Sequence, residues 1–152
     1  MSNYSDVIGA IDTTLKSATG VIDANVFKFQ KLTRDYASYI TAFKDTTNSV
    51  IHGYIITRAS FNEEREASRS NTRITKWIIR GYYSLGDAGS TEATFQGIID
   101  AISTAFSADP TLGGKVLTVE NFNLDKFDAG MWGDVLCHFA EMSLNTLEQI
   151  NY

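Results

Sequence analysis

IHGYIITRASFNEEREASRSNTRITKWIIRGYYSL, Ile51 to Leu85, decides the fold of this 152-residue chain. Its two ends, Ile51 to Phe61 and Thr72 to Leu85, are dense in β-branched and aromatic side chains, which fit a pleated, half-buried surface. Between them lies NEEREASRSNTR, Asn62 to Arg73, mostly charged or polar. The segment reads as a β-hairpin carrying a long solvated arm. In its second strand Arg73, Thr75, Trp77, Ile79 and Tyr83 share one face, and Ile74, Lys76, Ile78, Arg80 and Tyr82 share the other, because strand side chains alternate. Neither face is uniformly polar. Such a strand suits a central position where one face meets helices and the other meets something less complete, such as a neighbouring subunit.

The flanking sequence supplies the helices. From Tyr4 to Thr19, residues Val7, Ile8, Ile11, Leu15 and Ala18 recur at helical spacing, with Asp6 in the first turn and Gly20 as a stop. Val26 to Leu32 and Ser38 to Asp45 read as short strands, and Asp45 and Asn48 supply turn chemistry before the hairpin. Past the turn GDAGS, Gly86 to Ser90, residues Phe95, Ile98, Ile99, Ile102 and Phe106 mark a core-facing helix, with Ser90 as its cap and Glu92 set against its dipole. Asp109 and Pro110 end it, Gly113 and Gly114 turn the chain, and Lys115 to Phe122 alternates as a strand. Gly133 to Ile150 fits either a strand or a helix by periodicity. The order predicts an α+β fold, a mostly antiparallel sheet packed by two helices with a long β-hairpin arm.

Size and composition fit one domain over residues 1–152: the chain is 43% hydrophobic, with one proline and no low-complexity stretch. The N-terminus has no basic n-region or long apolar run, so neither a signal peptide nor a membrane contact is expected. The single cysteine, Cys137, cannot form an internal disulfide, and with only His52 and His138 beside it no zinc site is expected. Charge is unevenly spread. Residues 1–57 hold five basic and five acidic groups, residues 58–80 six and three, and residues 81–152 two and ten, which sums to −5. A basic middle and an acidic C-terminal half could make copies complementary head to tail, or aim basic groups at nucleic acid; accidental clustering on a solvated surface gives the same tally.

Candidate chemistry reduces to packing. Cys137 and His138 are adjacent, so on a strand they point to opposite faces and on a helix they diverge by about 100°; neither geometry makes a dyad. The glycines of DPTLGGK, Asp109 to Lys115, lack phosphate-loop spacing and lie between a helix and a strand, the reverse of the order a phosphate cradle needs. Asp125/Asp128 and Glu120/Asp134 lack the ligand spacing of a calcium loop and read as a solvated loop. No enzyme activity, metal or cofactor is expected. The expected contacts are for assembly: Arg65, Arg69 and Arg73 recur every four residues, with Arg58, Lys76 and Arg80 on the flanking strands, and would form one stripe if the arm became helical on docking. Glu63, Glu64 and Glu66 partly neutralise it, which favours a protein partner over DNA.

ITKWIIRGYYSLGDAGSTEATFQGIIDAISTAFSADPTLGG, Ile74 to Gly114, followed by GDVLCHFAEMSLNTLEQ, Gly133 to Gln149, resembles the tail terminator proteins of long-tailed bacteriophages. The shared pattern is an N-terminal helix, a W-x-I-x-G-Y strand, an F-x-x-I-I-D-x-I helix, a P-T-L-G-G turn and a V-L-C-H-x-A-E strand. The resemblance implies a structural virion protein: an α+β protomer of a homohexameric ring that caps the tail tube, ends its polymerisation and offers the surface for head attachment, with genomic DNA passing through the lumen. Its implied partners are further copies of itself, the tail tube protein, a head-tail connector or neck protein and, in a contractile tail, the sheath. Its implied place is the virion tail, and the host cytoplasm during assembly. It also favours a strand for residues 133–150. A head-to-tail connector or neck protein between portal and tail is the alternative.

Overall fold

A computed structural model describes residues 3–29, 43–45, 50–85, 90–132 and 135–151. Helix α1, Tyr4–Ser17, opens on a capping box in which the Asn3 side chain accepts from the Asp6 amide and the Asp6 carboxylate accepts from the Asn3 amide. It buries Val7, Ile8, Ile11 and Leu15, the stripe expected from spacing. Helix α2, Ser90–Ala108, buries Phe95, Ile98, Ile99, Ile102 and Phe106. The turn behind it puts Leu112, Gly113 and Gly114 at positive φ, and Asp109 accepts from the Gly113 amide.

The strands are β1 (Val26–Phe27), β2 (Lys44–Asp45), β3 (Val50–Ala67), β4 (Ser70–Ser84), β5 (Thr118–Trp132) and β6 (Val135–Asn151). Their order is β1-β3-β4-β6-β5, with β2 paired to the start of β3. Only β1 runs parallel to its neighbour, so the fold is α+β with a mostly antiparallel sheet. The C-terminal segment is a strand. Of the two short strands expected before the hairpin, only Val26–Phe27 and Lys44–Asp45 fall on described strand residues, and residues 30–42 lie outside the description.

The long β-hairpin arm is present, and its strands reach further than their aromatic segments: β3 and β4 run on past Phe61 and Thr72 and turn only at Ser68–Arg69. Its polar residues are held by pairing, Glu63 opposite Arg73 and Glu64 opposite Thr72, while β6 pairs the other side of β4 out to Ser70–Asn151. One expectation is corrected, for Asp125 and Asp128 do not sit in a loop. They lie on β5, an edge strand that exposes most of its side chains and carries two register breaks, at Glu120/Asn123 and Leu124/Lys126.

The helices cover one face of the sheet. Tyr54, Ile56, Trp77, Ile79, Ala140, Met142 and Leu144 meet α1 and α2 in the main core. Within it Trp77 Nε1 donates to Thr146 Oγ1 at 2.9 Å, so the indole buries its ring without losing its hydrogen bond.

Candidate assembly surface

Among the described residues, the opposite face of the sheet is closed at one end only. There Phe43, Ile51, Ile55, Trp132 and Cys137 form a second cluster, joined by Phe27, Tyr82 and Val135. The Phe43 and Trp132 rings stack at 4.0 Å, and Gly53 has no side chain because the Phe43 ring occupies the space a Cβ would take. Burial pushes the Cys137 thiol up to about 11 and raises the Tyr82 hydroxyl as well. His138, one residue on, lies on the helix face with its Nε2 at 2.9 Å from Thr91 Oγ1. The two neighbours therefore face opposite layers, as strand geometry requires.

Further along the same face no described residue adds cover. Register places Arg80 beside Glu141 and Lys126, Ile78 beside Ser143 and Asn123, Lys76 beside Asn145 and Glu120, and Ile74 beside Leu147 and Thr118. Arg80 Nε pairs with Glu141 Oε1 at 3.3 Å, Lys76 is exposed and Ile74 is 42% exposed. Along this strip charged and polar side chains alternate with the aliphatic ones, Ile78 between the Arg80 and Lys76 rows and Ile74 with Leu147 beyond them. Such a mixture resembles the polar rim of a protein contact more than its apolar centre.

Arg65, Arg69 and Arg73 lie on a hairpin and not on a helix, and the eight residues expected at an assembly contact are divided between the two faces and the turn. A bulge between Arg58 and Ser60 shifts the phase of β3, so Arg58 and Phe61 share the helix face. On that face the Arg58 guanidinium lies 4.9 Å from both the Tyr4 and Phe61 rings, and Arg73 lies 4.6 Å from Phe61 on its other side. Arg73 Nε also donates to Glu63 Oε1 at 2.8 Å, and Asn71 donates to Glu63 Oε2 at 3.0 Å. Arg65 Nη2 donates to the Ser68 carbonyl at 3.2 Å and helps close the turn. Arg58, Glu63, Arg65 and Arg73 therefore hold the hairpin itself in shape. Glu64, Lys76 and Arg80 lie on the opposite face, and Arg69 stands exposed at the turn.

Sequence reasoning missed the residues that β6 brings to the strip, Glu141, Ser143, Asn145 and Leu147. Their signal is the period-2 alternation of VLCHFAEMSL, but their position depends on pairing with residues some sixty to seventy-five positions earlier. Among the described residues no cluster of His, Cys, Asp and Glu could hold a metal ion, and no helix is long and apolar enough to cross a membrane. Comparison of the chain with models of known protein families and with curated proteins finds no match.

Proposed function

We propose that this chain is the protomer of a ring that caps the tail tube of a long-tailed bacteriophage, stops its polymerisation and presents a surface to the head. The observation that carries the reading is the position of the W-x-I-x-G-Y segment, Trp77 to Tyr82. It lies on β4, inside the sheet, with Trp77 and Ile79 sealed under the helices and Ile78 and Arg80 turned to the incompletely covered face. A cap must join its own copies laterally and match the tube on one side without offering a new growing end. A rigid sheet with one finished face and one unfinished face suits both demands, because two different patches of one chain then meet and close a ring. The hairpin, held by its own ion pair and ring contacts, docks as a preformed element and loses little entropy on binding. DNA in the lumen is a passing partner, since a protomer of net charge −5 gains little from phosphate contacts.

The test is tube growth. Tail tube protein polymerised with increasing amounts of this chain should give progressively shorter tubes, each carrying added density at one end. Tube lengths that do not respond to the chain would reject the cap.

A further inference from the structure

The sheet edges are poor candidates for joining copies, because β5 is charged and twice bulged and β3 is interrupted at Arg58/Ser60 and Arg65/Ala67. Bulges and charge are the devices that keep edges from pairing. A more specific feature lies at the base of the hairpin. Glu148 on β6 is only 5% exposed, yet it has no ion-pair partner among the described residues. Its Oε1 accepts from Thr146 Oγ1 at 2.9 Å and from Thr75 Oγ1 at 3.3 Å, which fixes the carboxyl in place, while Oε2 takes no hydrogen bond from the described residues and is open to solvent. Arg73, directly across the ladder, is committed to Glu63.

Glu148 lines a recess of about 240 Å³ with Gly114, Lys115, Leu117, Gln149 and Asn151. Lys115 is exposed and forms no ion pair among the described residues, so the recess presents one group of each sign. Two hydroxyls hold the carboxyl with Oε2 open, so a cation arriving with the right reach would meet a preoriented partner. The hairpin turn carries the matching pair. Arg69 and Glu66 are both exposed, and neither has an ion-pair partner among the described residues. A copy cannot satisfy itself, because Arg69, in the turn before β4, lies four residues from Arg73 in the row of Glu148, a span of about 13 Å of extended chain.

We infer that the Glu148 recess receives the Arg69 side chain from the hairpin turn of a second copy of this chain, with Glu66 of that turn set toward Lys115. This inference rests on the assembly reading and names the contact that joins the copies.

The test is a double-mutant cycle on self-association of the full chain, followed by sedimentation velocity across a concentration series. Arg69→Ala and Glu148→Gln should each weaken association roughly tenfold or more, since each leaves the opposite charge unpaired in a desolvated site. The double variant should be no weaker than the weaker single one. Arg69 lies on an exposed turn, so its variant carries the test even if Glu148→Gln fails to fold. Independent, additive effects, association unchanged in Arg69→Ala, or a wild-type chain that stays monomeric would overturn the inference. Two further outcomes separate it from the cap. If Arg69→Ala still associates as the wild type and still shortens tubes, the recess is wrong and the cap stands. If the pair couples but the associated chain never seats on a tube, the cap is wrong and the recess stands.

Discussion

Trp77 and Ile78 are neighbours in sequence, and they belong to two different environments. Trp77 is 1% exposed, stacked on Tyr4 and hydrogen-bonded to Thr146 beneath the helices. Ile78 is half-buried between Thr57 and Ser143 on the face where the aromatic cluster stops short. One face of the sheet is finished by the chain that makes it, and the other is finished only in part. Stability is concentrated under the helices on the first, and assembly is assigned to the second and to the Glu148 recess beside the hairpin. Mutations on the two faces should therefore separate folding from association.

The largest effect is expected from Trp77→Ala, a loss of about 3–5 kcal/mol of folding stability for an emptied aromatic site, read by chemical denaturation. Ile78→Ala should cost the isolated chain only roughly 1 kcal/mol, because its side chain is partly exposed already, while weakening self-association. Equal losses at the two positions would erase the distinction between the faces. Gly53→Ala probes the closed end of the second face. Its new methyl group would enter the Phe43 ring, and the strain should cost about 1–3 kcal/mol; a neutral result would mean that the Phe43–Trp132 stack yields easily. Gly97→Ala on α2 should have the smallest effect and the opposite sign. Nothing lies within 4 Å of the added carbon, so helix propensity alone should raise stability by up to about 1 kcal/mol.

The two helices and the strand at Trp77 were readable because burial imposes its period directly on the sequence. The hairpin arm was legible, but how far its strands run, and the middle of β5, were not, for one shared reason. Glu63, Glu64, Asn71 and Asp128 are poor strand formers by composition, and they adopt strand geometry through pairing with β4 or β6 that no local pattern reports. The candidate contact was legible in composition and not in geometry. The four-residue spacing of Arg65, Arg69 and Arg73 suggested a helical stripe, yet on strands Arg73 turns inward to Phe61 and Glu63, Arg65 folds onto the turn, and of the three only Arg69 is left outward without an ion-pair partner among the described residues. The bulge beside Arg58, which sets Phe61 between two guanidinium groups, leaves no signature in the residue types around it. Glu148 became conspicuous only once its row was shared with Arg73, seventy-five residues earlier.

Electron microscopy of the purified chain, alone and mixed with tail tubes, tests the assignment most directly, with Ile78→Asp as the companion variant. A closed ring seated at one end of the tube is expected for the wild type, and bare tube ends for the charged variant. Tubes left bare by a correctly folded wild-type chain would contradict it.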